Sequence, residues 1–408
     1  MTNAKPSARQ HGGRLAAAIR RYGGRAEDWI DLSTGINPHA YPMTPPPAEA
    51  WSRLPDEAEE AALLDAARRA YAVPDAAAIV AAPGAQALIQ LVPRLRPPGR
   101  VAVLSPTYNE HEAAFRAAGW EVLAVAEPVP AEALVVVRPN NPDGRVLPWA
   151  EIEAARVTEA LVVVDESFAD VMAANASRCE HFDPNAGDQR PPVRQLRIAP
   201  DPLGSARSPL KRPTGAFAGR SSPPRAGAMR PPSGRARSST LGASTSTQDD
   251  SGLTPQTGQP GLIILRSFGK FFGLAGVRLG FAIGAPAEIE RLAEMLGPWA
   301  VSGPALAVGR EALSDLDWQS KMRARLAEEA ARLTHLLTAA GCEDIGGTDL
   351  FRLVRHPDAG DLVERLAEAR ILVRTFDYAP DWLRFGLPGV EAEWRQLETA
   401  LGLEPSDL

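Results

Sequence analysis

Cysteine is nearly absent from this 408-residue chain: Cys179 and Cys342 are the only two. Two thiols cannot make a disulfide framework, and no Cys/His group has the spacing of a zinc site, so no metal is expected and a reducing cytoplasm is the expected setting. Long hydrophobic runs are lacking as well. The apolar stretches fall well short of the ~18 residues of a spanning helix, and Met1 to Arg14 holds no signal-like apolar segment, so no membrane partner is expected. Nor is there an excess of positive charge. Lys and Arg number 44 against 50 Asp and Glu, a formal charge of −6, which argues against nucleic acid and favours a small-molecule ligand. With 45% hydrophobic and 23% charged residues the composition is globular, and the length suits two domains or one large domain with additions.

Proline, by contrast, is abundant: 38 residues, about 9% of the chain against a usual ~5%. Many fall between 178 and 259, in text such as "RPPVRQLRIAPDPLGSARSPLKRPTG" and "RSSPPRAGAMRPPSGRARSST". Such a stretch buries too little apolar area to offset chain entropy, and it reads as a disordered insertion. Its surplus of Arg and Lys also allows a basic tether for an acidic partner, but a tolerated surface insertion or an aberrant gene segment is the preferred reading. Elsewhere, apolar runs at 78–82, 101–104, 134–138, 161–165, 262–267 and 280–283 alternate with amphipathic helical patterns such as 85–92 and 109–118. Continuous apolar strands flanked by helices predict an α/β core with a mainly parallel sheet covered on both faces. After Pro298 a long helix at 321–340, a strand at 351–355, a helix at 360–370 and strands at 371–374 and 383–385 predict a smaller α+β domain. The expected plan is an N-terminal arm (1–44) packed with the C-terminal part, a large domain (45–297) interrupted by the insertion, and a small domain (298–408).

Four segments carry candidate chemistry. In "LIILRSFGKFFGLAGVRLG", Lys270 follows an apolar strand amid Phe268, Phe271 and Phe272; desolvation would ease its deprotonation, as a Schiff-base lysine requires. Ser267 and Arg278 beside it could hold a phosphate, although a solvated Lys/Arg pair on a Gly-rich loop is the plainer alternative. In "LVVVDESFAD", Asp165 ends a strand and could face a pyridinium nitrogen, or be a structural carboxylate. In "RPNNPDG", Asn140 and Asn141 precede a proline turn, where an amide could donate to a phenolate oxygen. In "APGAQALIQ", Gly84, Ala85 and Gln86 open a helix whose N–H groups could meet a phosphate.

Taken together with Tyr108 in "SPTYNEH", this order of motifs resembles the pyridoxal-phosphate enzymes of the aspartate-aminotransferase fold (fold type I), and within it the family of histidinol-phosphate aminotransferases and threonine-phosphate decarboxylases. The resemblance spans nearly all the chain except the insertion. It implies pyridoxal 5'-phosphate as cofactor, with Lys270 attached to it and Asp165 on the pyridine nitrogen. Asn141 would meet the phenolic oxygen, Tyr108 would stack on the ring, and Gly84, Ala85, Gln86, Ser267 and Arg278 would hold the phosphate. It further implies a homodimer, and Arg384 in "WLRFGLP" as the clamp for a substrate carboxylate. Three departures stand out. Leu54 precedes Pro55 where many relatives have Tyr-Pro, Phe168 replaces a tyrosine of some members, and Asp165 and Lys270 stand 105 positions apart, a surplus that coincides with the insertion.

The opening "HGGRLAAAIRRYGGRAEDWIDLSTGINPHAYP" resembles that of the threonine-phosphate decarboxylases of cobalamin biosynthesis. This likeness implies a small phosphorylated amino-acid substrate, bound by His11, Gly35, Arg374 and Arg384, and a decarboxylation of L-threonine O-3-phosphate to (R)-1-amino-2-propanol O-2-phosphate and CO2. Two other functions stay open: an aminotransferase of the histidinol-phosphate type, and a non-catalytic binding protein on the same fold.

Overall fold

A computed structural model of the chain describes residues 12–157, 160–172 and 257–403. Among these the strands are β1 (Ile30–Asp31), β2 (Ala78–Ala82), β3 (Arg100–Leu104), β4 (Glu121–Val125), β5 (Ala133–Val137), β6 (Leu161–Asp165), β7 (Leu262–Ser267) and β8 (Gly280–Gly284). They continue with β9 (Glu343–Thr348), β10 (Phe351–Arg355), β11 (Ile371–Leu372), β12 (Arg374–Phe376) and β13 (Ala379–Gly386).

Seven strands form one sheet in the order β2-β8-β7-β6-β5-β3-β4. Every pairing from β7 to β4 is parallel, and β8 alone runs against its two neighbours. Strands β5, β6 and β8 are buried at every residue, as continuous apolar runs in a helix-covered sheet must be. Side-chain alternation then divides the core: Val101, Val103, Val135, Val163 and Ile263 pack on one face, and Ala102, Leu104, Val136, Val164 and Ile264 on the other. Because β2, β3, β5, β6 and β7 share one direction, their C-terminal ends line a single edge of the sheet. Arg278, just before β8, reaches that same edge because β8 is antiparallel. This is the mainly parallel α/β architecture expected.

The second sheet, β12-β13-β10-β9, is antiparallel, and the helix Leu316–Ala339 lies over it. The run 371–374, expected as one strand, is in fact divided. Residues 371 and 372 pair in parallel with β1 of the arm, whereas Arg374 begins β12 and pairs with β13. The arm therefore joins the C-terminal part by a two-residue strand pairing. At the other end of the Pro/Arg/Ser-rich segment, Thr257 is buried and Gln259 accepts a hydrogen bond from Arg156 at 3.2 Å. Those last positions belong to the fold; the remainder of the segment, 178–256, lies outside the described residues.

Candidate active site

The shared strand edge opens into a cavity of ≈ 330 Å³. Every expected site residue among the described ones lines it: Gly84, Ala85, Gln86, Tyr108, Asn141, Asp165, Ser267, Lys270 and Arg278 from the large sheet, Gly35 from the arm, and Arg374 and Arg384 from β12 and β13. His11 falls outside the described residues.

Lys270 sits on the four-residue helix Phe268–Phe271 that follows β7, with Nζ 4.6 Å from the centre of the Phe168 ring. Burial lowers its proton affinity below the ordinary value, with Arg384 and Arg278 acting in the same sense and Asp165 opposing them. Asp165, 3% exposed, ends β6. Burial alone would raise its pKa, but the hydrogen bond to His111 Nε2 at 2.8 Å, the backbone N–H of Ser167 at 2.9 Å and the charge of Lys270 hold it at about 2. Asp165 is thus a carboxylate kept ionised in a dry place. His111 is a residue the sequence reading passed over. It lies three positions after Tyr108 on the helix Glu110–Ala117, fully buried, and only the tertiary fold brings it to Asp165.

At the start of the helix Ala85–Leu91 the first backbone N–H groups have no acceptor within the helix. The guanidinium of Arg278 stands over this turn so closely that a Cβ on Gly84 would lie 2.7 Å from its Nη2, and Gly84 also has φ +84°. A side chain at 84 would be strained and would displace the arginine. Tyr108, its pKa pushed up to about 12 by burial and by the nearby Glu110 and Asp165, is a neutral phenol that donates to Gln86 Oε1 at 3.2 Å.

The two asparagines of "RPNNPDG" have different fates. Asn140 is used internally, accepting from Thr107 at 2.6 Å and donating to the Pro106 carbonyl and Asp143. Asn141 faces the cavity, and its Oδ1 accepts from Arg384 Nη1 at 2.5 Å. An arginine has only donors, so this contact fixes the amide with its oxygen toward Arg384 and leaves Nδ2 as a donor. Arg384 also donates to the backbone oxygen of Ser33 at 3.0 Å, while its buried Nε has no hydrogen-bond partner among the described residues. Burial, with Arg374 beside it, lowers its pKa to about 10. Arg374 and Arg384 are register partners on β12 and β13. Ser33 in turn accepts from the backbone of Gly13 at 2.7 Å, so the glycines after His11 and the "STG" turn meet at the cavity wall.

Tyr378, which also lines the cavity, was not singled out in the sequence. Neither was the charged cluster beside Asp165 in the chain. Arg266 donates to Glu166 at 2.8 Å and pairs with Asp170, and Arg138 lies 3.4 Å from Glu166, all four buried. Alternation along β6 and β7 gave no signal for it, because these residues lie next to the functional ones in the chain.

Comparison with known proteins agrees with this geometry. The sequence pattern of the family described as aminotransferase class I and II matches residues 55–187 and 242–400. A threonine-phosphate decarboxylase from Sinorhizobium sp is 39% identical over 96% of this chain and 97% of its own. One from Pseudomonas aeruginosa is 36% identical, again over 96% and 97%. Among solved structures, histidinol-phosphate aminotransferase from Sinorhizobium meliloti in complex with pyridoxal-5'-phosphate superposes with a TM-score of 0.65, covering 98% of this chain and 97% of that one; at 16% identity the likeness is one of fold. On the extent of these matches, the chain belongs to the aminotransferase class I and II family.

Proposed function

We propose that this protein is a pyridoxal-phosphate-dependent lyase that releases CO2 from L-threonine O-3-phosphate and leaves (R)-1-amino-2-propanol O-2-phosphate. The observation that carries the reading is the pair of register partners Arg374 and Arg384 lining the same cavity as Lys270 and Asp165. Two fixed cations suit a substrate with two anionic groups. The full-length relatives named as threonine-phosphate decarboxylases support the same substrate.

The residues fit the cofactor. Gly84, Ala85, Gln86, Ser267 and Arg278 would hold its phosphate, Asp165 its ring nitrogen, Asn141 Nδ2 its phenolic oxygen and Tyr108 its ring face, with Lys270 as the attached lysine. Bound there, pyridoxal phosphate supplies an electron sink for the pair left when a bond to the substrate α-carbon breaks. Around that event the chain's own groups have separate duties. Asp165, ionised, would keep the cofactor's ring nitrogen protonated. Arg384 Nε and its forked nitrogens receive the α-carboxylate, and Arg374, with His11 and the Gly35 turn, receives the substrate phosphate. Holding both ends fixes which bond to the α-carbon is presented for cleavage. Lys270 Nζ, made less basic by burial, can give up its proton on attachment and later return one to the α-carbon.

A homodimer completes the reading. Trp51, Leu54 and Trp299 are 71%, 66% and 59% exposed, large apolar side chains that a second copy could cover. No helix among the described residues is long and apolar enough to cross a membrane, and the cytoplasm is the proposed location. The deciding assay follows labelled carbon from L-threonine O-3-phosphate without a keto-acid acceptor, alongside the cofactor spectrum. CO2 release is the expected result. Amino transfer from histidinol phosphate to 2-oxoglutarate, with no CO2, would establish the aminotransferase instead.

A further inference from the structure

The helix that presents Lys270 has four residues, too few to satisfy its own last carbonyls. The arm satisfies them. The backbone N–H of Asn37 donates to the Lys270 carbonyl and that of Tyr41 to the Phe272 carbonyl, both at 2.9 Å. Between them the side-chain Nδ2 of Asn37 donates to the Phe271 carbonyl at 2.7 Å, across 234 positions of sequence. The amide orientation is fixed because Asn37 Oδ1 accepts the backbone N–H of His39 at 2.8 Å. Asn37 is 2% exposed, so this is an interior tie. The same arm segment reaches the substrate side, where the Ser33 carbonyl takes a hydrogen bond from Arg384.

We propose that Asn37 is a positioning residue for Lys270: its side-chain amide anchors the turn that carries the lysine and keeps the base of that turn dry. Without Nδ2, the buried Phe271 carbonyl has no side-chain donor among the described residues and must draw one from water. Water admitted there would rehydrate Lys270 and let it drift from its place over Phe168. The inference rests on Lys270 being the cofactor-bearing lysine. The charged groups that bear on its amine are Asp165 and Asp170, which favour the protonated form, and Arg384 and Arg278, which oppose it; Asn37 carries no charge, so its effect is one of place and solvation.

The test uses full-length apoprotein reloaded with pyridoxal phosphate across a pH series, the bond trapped by borohydride and located by peptide mass. Asn37→Ala and Asn37→Asp are compared with wild type; the aspartate keeps the shape and the acceptor for His39 but exchanges the donor for a carboxylate, so the alanine variant is the one that reads loss of the donor without an added charge. In both variants the midpoint of attachment against pH should rise by ~0.5–1 unit as Lys270 regains water. In turnover, kcat should fall ~10-fold with KM held within about twofold, since the substrate-binding arginines are untouched. His39→Ala, which breaks the arm's contact with Glu329, should lower thermal stability without moving the attachment midpoint. Asn37 variants that attach cofactor with the wild-type midpoint and turn over at the wild-type kcat would overturn the proposal. No trapped cofactor at Lys270 in the wild type would overturn the assignment of the lysine itself, and the inference with it.

Discussion

Replacing His111 by Phe removes the strongest donor to Asp165 while keeping a planar ring in the space. In the native protein the carboxyl of Asp165 is held at about 2 against an ordinary 3.8. That difference, close to two units at ~1.4 kcal/mol each, corresponds to roughly 2–3 kcal/mol of stability. The folded pKa is the lower one, so this contribution is fully present above pH ~4 and is lost as pH falls through the folded value near 2. In His111→Phe the carboxylate stays buried with one backbone N–H and Lys270 for company, and its pKa must rise. The variant should be about 2 kcal/mol less stable at pH 7, and its deficit should narrow as acid protonates Asp165 in both proteins. Urea unfolding of the apoprotein followed by tryptophan fluorescence between pH 2 and 7 reads both effects. A deficit that is the same at every pH would mean a packing loss alone, and the argument that His111 acts through the charge of Asp165 would fail.

Arg374→Ala should raise KM for L-threonine O-3-phosphate by ~100-fold, as the loss of a charge-assisted fork implies, and leave the slow reaction of unphosphorylated threonine unchanged; initial rates on both substrates check it. Arg266→Met leaves Glu166 and Asp170 buried without their shared cation, so a loss of ~3–5 kcal/mol is expected. Arg266→Met/Glu166→Gln should recover part of this in the same denaturation assay. Deleting 188–241, the stretch that the family pattern skips, should leave cofactor attachment and the melting temperature nearly unchanged, because its composition supports no core; a deletion variant that comes out insoluble would contradict that view.

Several features were legible in the residues because local chemistry writes them there. Runs such as "LVVVD" and "LIILRS" become buried parallel strands because only such strands need to be apolar on both faces, and their last residues necessarily arrive at one edge. Lys270, just past β7, and Asp165, the last residue of β6, could therefore be placed from their positions at strand ends, whereas Arg278 precedes β8 and reaches that edge because β8 is antiparallel. Where apolar continuity weakened, the reading weakened too. Strand β4, "EVLAV", is a sheet edge with no fully buried residue, and β9, "EDIGGT", holds two glycines with φ near +150°; neither gave a strand signal. The run 371–374 was divided because two different sheets compete for its hydrogen bonds, a matter no local pattern records. The choice between Asn140 and Asn141 depended on Thr107 and Arg384, far away in the chain. His111 met Asp165 across a separation of 54 positions, and the arm met the lysine turn across more than two hundred. The sequence determined which residues could do the chemistry, through charge, hydrophobicity and backbone restriction. Tertiary structure decided which of them would be dry, paired and aimed at one another, because solvation and hydrogen-bond partners depend on neighbours in space rather than in the chain.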